Sequence, residues 1–417
     1  VSTPSLQFVH ATTFYPPDGF GGDAVQVHRL ANLLAERGHQ VRVVHNPEAF
    51  DRGEGAPLTG FPNHPGVEVV ALKTGRSGLL ASHLLGRPSG FGAQLSAALA
   101  GADVVHFHNP SLLGGPGALA LSHAPVTVFT THEHWLVCPT HVLFRNGREP
   151  CEQQTCWRCS AVQHRPPQVW RSTGAMERGL SHVDLLLSPS EFTAERHRRA
   201  FPQVACEVLR HPPPSFKELE TLPPIEARAR PFVLFAGRFE PIKGGLWLIE
   251  QLRETGVDLV LAGDGSQLEQ ARLLAAGHPT VHVLGKVDRA RLLGLCRDAL
   301  ALIVPSLGYE TAGAVALEAM ALGTPVLVRE LGALPELVTD GGGLTFRTGE
   351  ELRAHVTRLA NDPGLHAELS TQARVTAEPS RAECFFLSRY FTLLAKTAAN
   401  KGDSTLAAAA SACAAAS

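Results

Sequence analysis

The chain has 417 residues, of which 44% are hydrophobic and 18% charged, and its formal net charge is -2. That length exceeds a single ordinary core and predicts two domains of soluble globular type. The balanced charge gives no footprint for nucleic acid, and no apolar run is long enough to cross a bilayer.

The N-terminus, "VSTPSLQFVHATTF", has no basic stretch leading into an apolar one, so a cytoplasmic chain with reduced cysteines is expected. "LQFVHATTF" reads as a strand, "YPPDGFGGDA" as a glycine-rich turn and "AVQVHRLANLLAERGH" as a helix stopped at Gly38. "QVRVVH" follows as a second strand. A strand, glycine loop, helix and strand in succession make the unit from which parallel sheets are built. Gly21 and Gly22 let a ligand approach the backbone closely, although a plain tight turn reads the same way. "GVEVVAL", "ADVVHFH", "PVTVFTTH" and "VDLLLSPS" are further strands, and residues 74–93 read as a mobile loop with a short helix.

Cys138, Cys151, Cys156 and Cys159 are spaced x12, x4 and x2. Four thiols ending in CxxC suit a closed, structural zinc site. An iron–sulfur cluster, a disulfide pair and no metal are the alternatives. A four-cysteine site has no open position, so a catalytic zinc is not expected.

"RHPPPSFKELETLPPIEARARP" breaks the pattern with five prolines before Ile225 and reads as a linker over 213–230. It separates a domain at 1–212, carrying the cysteine-rich insertion at 138–159, from a second domain at 231–377. There "FVLFAGR", "VDLVLAG", "TVHVLG", "ALALIVPS" and "TPVLV" alternate with helices, and their apolar character fits strands covered on both faces. Two doubly wound halves imply a cleft between them. Arg238 and Lys243 follow the first strand of this half, where two cations suit a pyrophosphate leaving group. Glu310 follows the fourth, ahead of a helix expected to run from about Ala312 to Leu322, where the N–H groups of Thr311, Ala312 and Gly313 suit a phosphate. Glu318 lies eight residues on, roughly 12 Å along the helix axis. The segment 378–396 has helical periodicity and is expected to pack back on the first domain. Residues 397–417 are alanine-rich, with nothing large to bury, and are expected to be disordered.

"GRFEPIKGG" together with "PSLGYETAGAVALEAMALGTPVL" resembles the retaining GT-B glycosyltransferases of family 4 (GT4). Their hallmark is two glutamates with seven residues between them, matched by Glu310 and Glu318, with an arginine and a lysine five apart, matched by Arg238 and Lys243. The resemblance continues through "LAGDGSQLEQA", "VHVLGKVDRARLLGLCRDA" and "LGALPELVTDGGGLTF" and covers most of residues 5 to 395. It implies two Rossmann-like α/β domains facing across a cleft and a nucleotide-diphosphate-sugar donor. The acceptor would be a glycan, a lipid-linked sugar or a small metabolite, and no cofactor would be required for catalysis. By the same likeness, the Lys286–Val287 backbone meets the base, Glu318 the ribose, Glu310 the sugar, and Thr311 to Gly313 the phosphate. Gly21 and Gly22 approach the diphosphate, His132 lies against the donor sugar, and His108 and Asn109 face the acceptor. Many relatives carry Phe-Gly where Thr311 and Ala312 stand, so the sugar itself is not implied. The apolar residues of 74–93 and Trp135 are candidates for contact with the inner face of a membrane, with ordinary packing as the alternative. A sugar-nucleotide epimerase and a non-catalytic binding protein are the rival functions. A nicotinamide dehydrogenase is disfavoured because "GFGGDA" does not match GxGxxG.

Overall fold

The computed structural model describes residues 4–19, 21–50, 57–211, 222, 230–377 and 379–417. The proline-rich linker expected at 213–230 lies outside the described residues except for Leu222 and Arg230. The chain divides into two compact units. One comprises Val1–His141, Cys156–Arg210 and Cys384–Ser417; the other comprises Val142–Thr155 and His211–Glu383.

The first unit is built on β1 (Gln7–Thr12), β2 (Gln40–His45), β3 (Val67–Ala71), β4 (Val104–Asn109) and β5 (Val126–Thr130). A two-stranded hairpin, β6 (Phe144–Arg145) and β7 (Glu149–Pro150), lies within the cysteine-rich stretch but belongs to the second unit. The first sheet is completed by β8 (Leu185–Ser188) and β9 (Ala205–Val208), in the order β3-β2-β1-β4-β5-β8-β9 with every pairing parallel. Alternate residues feed two cores, as a sheet covered on both faces requires. Phe8, Val43, Val104 and Val128 pack with Val27, Leu30 and Leu34 of the helix Gly22–Glu36. Val9, Val44, Val105 and Phe129 pack on the other face with Leu95, Trp135 and Trp170.

The second unit holds β10 (Phe232–Ala236), β11 (Asp258–Ala262), β12 (Val281–Gly285), β13 (Ala301–Val304), β14 (Val326–Arg329) and β15 (Gly343–Phe346). Their order, β12-β11-β10-β13-β14-β15, is again all parallel. Both sheets are therefore doubly wound and Rossmann-like, as the alternating pattern predicted. The edge strands β9 and β15 were not expected. Each has four residues, too few to stand out as an apolar run.

Two segments depart from expectation. Residues 74–93 contain a regular helix, Gly75–Leu85, ended by Gly86 in the left-handed conformation at φ 65°. A β-carbon there would meet the Trp170 ring at 2.8 Å, so glycine is needed for close approach as well as for the turn. The alanine-rich tail also folds, as the helix Ser404–Ala416. The Asp403 carboxylate accepts from the Leu406 N–H, and Leu406, Ala410 and Cys413 are buried along one face. Composition misled because small side chains let a helix of high propensity pack closely without bulk. The preceding helix, Pro379–Asn400, brings Phe386, Leu387, Tyr390, Phe391 and Leu394 into the core of the first unit.

In the second unit, Gly263 follows β11 so closely that an added β-carbon would sit 1.8 Å from the Gly237 carbonyl oxygen. Because the obstacle is backbone, Gly263→Ala is expected to cost about 1–3 kcal/mol. Its melting temperature should fall below that of Gly256→Ala, where a β-carbon meets nothing within 4 Å. A thermal scan of both variants checks the order.

Candidate functional site

In the second unit the strand order reverses between β10 and β13, and ligands of open α/β sheets bind outside the carboxyl ends of the strands at such a point. The loop after β10 carries Arg238 and Lys243, and the loop after β13 carries Glu310. The structure joins two of these residues: Lys243 Nζ donates to Glu310 Oε1 at 2.6 Å. Ser306 Oγ donates to the same oxygen, also at 2.6 Å. Burial pushes the Glu310 carboxyl up, but the Lys243 charge and the two hydrogen bonds outweigh it, and its pKa lies below the ordinary value. Arg238 is exposed and donates to Glu240 Oε1 at 3.0 Å. Glu240 also accepts from Ser266 Oγ at 2.7 Å, which ties the cationic loop to the glycine-rich turn after β11.

Glu310 stands at the open edge and Glu318 inside the helix Ala314–Ala321, which starts at Gly313 with φ 65°. The helix is shorter than expected, beginning two residues later and ending one earlier. Glu318 is buried, and its partner is Arg289, whose Nη2 lies 3.0 Å from Oε1. Arg289 opens the preceding helix, Arg289–Asp298, which is capped by Asp288. Thr311, Ala312 and Gly313 are half-buried at the start of the Glu318 helix, whereas Lys286 is exposed and Val287 packs on the core. The two glutamates set in an apolar run are thus each held by a cation, as buried carboxylates require.

In the first unit the strand order reverses between β1 and β4. Gly21, at φ 92°, precedes the helix beginning at Gly22. Asp23 in its first turn is raised to about 6 by burial and then by the Glu133 charge, although the Ala24 N–H and the Asn109 side chain oppose the shift. Glu133 also lies 2.9 Å from His141 Nδ1. His132 follows β5 and is half-buried; its Nε2 lies 2.9 Å from His108 Nδ1. His108 and Asn109 are buried at 2% and 3% exposure. The structure gives both a supporting position: His108 beneath His132, Asn109 on Asp23 and Ser111. Asp23, His10, Glu240 and Arg289 are the polar residues that sequence reading missed. Their partners are remote in sequence, and the one local signal was an acidic residue opening the glycine-loop helix.

Cys138, Cys156 and Cys159 belong to the first unit and Cys151 to the second. None of the four is joined in a disulfide, and Cys138 and Cys159 are buried. Burial raises the Cys156 thiol, and Cys138 and Cys159 add to the shift while Arg171 opposes it. These three sulfurs are neighbours but do not gather within 4.8 Å as a metal-ligand set; among the described residues that arrangement occurs at His10, His106 and His108. The residues as placed do not fit a closed zinc site. Trp135, expected as a candidate for membrane contact, is buried between Phe129 and Trp170 and cannot reach a surface. Among the described residues no helix is long and apolar enough to cross a membrane.

Residues 20–212 match the family model described as Glycosyltransferase Family 4, and residues 230–362 match that of Glycosyl transferases group 1. A glycogen synthase of Mycobacterium tuberculosis is 39% identical over 154 residues, covering 34% of this chain and 37% of that protein. A D-inositol 3-phosphate glycosyltransferase of Streptomyces bingchenggensis is 32% identical over 233 residues, 47% of this chain and 49% of its own length. The matched stretches thus span less than half of these relatives. Among solved structures, the sucrose-phosphate synthase of Thermosynechococcus elongatus aligns over 94% of this chain and 100% of its own, with TM-score 0.68 and 18% identity. HepE of Anabaena, in complex with UDP and glucose, aligns over the same shares with TM-score 0.64 and 17% identity.

Proposed function

The chain belongs to the family 4, group 1 glycosyltransferases and has their GT-B fold of two Rossmann-like domains, and from that premise we propose the reaction it performs. It moves a sugar from a nucleotide-diphosphate donor to an acceptor hydroxyl, with retention at the anomeric carbon and without a catalytic metal. One observation carries this reading: Lys243 and Glu310, from the loops after β10 and β13, meet at the switch point of the second sheet.

In this reading the donor's diphosphate enters the loop of Arg238 and Lys243 and the N–H groups of Thr311, Ala312 and Gly313. The anomeric carbon–oxygen bond to the phosphate breaks, and the two cations and the helix N-terminus stabilise the departing charge. Lys243 then exchanges Glu310 for phosphate, which frees the carboxylate to hold sugar hydroxyls. Glu318, already oriented by Arg289, takes the ribose hydroxyls, and the backbone at Lys286 and Val287 meets the base. Gly21 and Gly22 approach the diphosphate, and His132 contacts the sugar. The acceptor oxygen bonds to the anomeric carbon on the face the phosphate leaves, and its proton passes to a leaving phosphate oxygen. The acceptor is a glycan, a lipid-linked sugar or a small metabolite. Structural zinc at the four cysteines is not part of this reading.

HepE and an Arabidopsis starch synthase IV have been solved with UDP and with ADP respectively, so UDP- and ADP-sugars are the first donors to test. A panel of nucleotide sugars scored by thermal shift is expected to pick out one base and one sugar. At a hundredfold excess over Kd, the cognate donor adds about 2.7 kcal/mol of stability. A panel with no response from any donor overturns the reading, and conversion of the donor to an epimer without acceptor replaces it.

A further inference from the structure

Three histidines of the first unit stand in a hydrogen-bonded line. His10, in the middle of β1, has its Nδ1 2.9 Å from His108 Nε2, and His108 Nδ1 lies 2.9 Å from His132 Nε2. Neighbouring rings are tilted by 30° and 28°, with centroids 5.2 and 5.1 Å apart. Each contact therefore joins a δ nitrogen to an ε nitrogen, and the pattern repeats along the line. His10 and His108 are fully buried, at 0% and 2% exposure, and His10 Nε2 has no hydrogen-bond partner. Burial holds His10 at about 3, so it is neutral near pH 7.

A neutral imidazole carries one hydrogen, and each contact in the line needs one hydrogen and one lone pair. When all three rings are neutral, two arrangements satisfy both contacts, with every hydrogen on δ or every hydrogen on ε. The ε arrangement strands an N–H on His10 Nε2 in a dry interior, a group that folded proteins almost never leave orphaned. The δ arrangement strands only a lone pair. We propose that His10 and His108 are positioning residues that fix His132 in the Nδ1–H tautomer, its Nε2 accepting from His108, so that Nδ1–H is the ring's donor when the substrate is bound. This deepens the glycosyl-transfer reading and rests on it for the substrate contact of His132.

His106 has a different part. It stacks on His108 at 4.0 Å between ring centroids. Its nitrogens lie 3.0 Å from the Tyr390 hydroxyl and 2.7 Å from Thr130 Oγ1. It holds the plane of the His108 ring and stands outside the line. His10, His106 and His108 also come close enough to share a metal ion. However, the nitrogens of His106 and His108 already have partners, and their stacked rings lie side by side, a poor arrangement for converging on one ion.

The test uses the full chain with 15N-labelled histidine and long-range proton–nitrogen spectra at pH 7.5. In the wild type, His10, His108 and His132 are expected to show a protonated Nδ1 and a bare Nε2. His10→Phe removes the donor to His108 and should leave His132 in mixed tautomers. It should also lower donor turnover about 10–100-fold with little change in KM. His10→Gln, whose amide N–H can donate to His108 Nε2, should restore both. A wild-type His132 protonated on Nε2 overturns the proposal whether or not the variants fold. An unchanged His132 tautomer in folded His10→Phe overturns it too, as does stoichiometric zinc in the purified wild type that His10→Gln releases. If no nucleotide sugar is turned over while the δ tautomer is seen, the functional reading falls and the tautomer relay stands.

Discussion

Lys243→Ala is expected to lower donor turnover by about 10²–10³-fold, the usual cost of removing one preorganised donor from a developing negative charge. The variant loses the cation facing the leaving group, and Glu310 loses the partner that keeps its pKa below the ordinary value. Some stability is lost as well, because the Glu310 side chain is only 16% exposed and keeps Ser306 as its remaining donor. Arg238→Ala separates the two effects. The Arg238 side chain is 48% exposed, so its removal should leave stability within about 0.5 kcal/mol of the wild type. Turnover should nonetheless fall, because the charge it adds at the leaving group is lost. Steady-state rates of nucleoside diphosphate release, paired with melting temperatures, check both variants. Unchanged turnover in both would remove the chemical basis of the account.

Acid should unfold the protein well above the carboxylate range. Burial holds His10 and His134 at about 3, His197 at about 4 and His106 well below its ordinary value, with neighbouring positive charge as the lesser cause for the last three. The unfolded chain binds protons at these histidines below about pH 6.5, and the native chain does not. Stability contributed by the neutral rings is therefore full above pH 6.5 and lost as pH falls from there towards 3–4. At pH 5 the loss is about 2 kcal/mol for each of His10, His134 and His197. Asp23, raised to about 6, works in the opposite sense and returns about 1 kcal/mol over the same interval. The net loss, on the order of 5 kcal/mol, is comparable with the whole stability of many folded proteins. Far-UV circular dichroism during denaturant titrations at pH 7, 6 and 5 should show a steep decline. His134→Phe should flatten it, since both ring nitrogens of His134 are buried without partners. A stability that stays level between pH 7 and 5 contradicts this account of the histidines.

Much of the fold could be read from the sequence because parallel strands buried on both faces are short apolar runs between glycine loops and helices. Strands such as "FVLFA" and "DLVLA" carry that signal internally. The positions of Arg238, Lys243, Glu310 and Glu318 could be read for a related reason, since they lie in loops and a helix whose place is fixed by the strands before them. Residues whose meaning depends on a distant partner could not be read this way. Arg289 carries no signal of its own in the sequence, and the fold sets it against Glu318, 29 residues away. His10 looked like an ordinary strand residue until β1 and β4 paired in parallel and brought it to His108, 98 residues on. The C-terminal helix failed as a sequence prediction because its stability comes from docking small residues on the first unit, which local composition does not record.

The most direct measurement is calorimetric titration of UDP and ADP into the wild-type chain, Arg238→Ala and Lys243→Ala. The account predicts one-to-one binding of one nucleoside diphosphate to the wild type. Its affinity should be at least about tenfold weaker in Lys243→Ala, because a charge-assisted contact to phosphate is lost. Absence of binding for both nucleotides, or equal affinity in all three proteins, would contradict it.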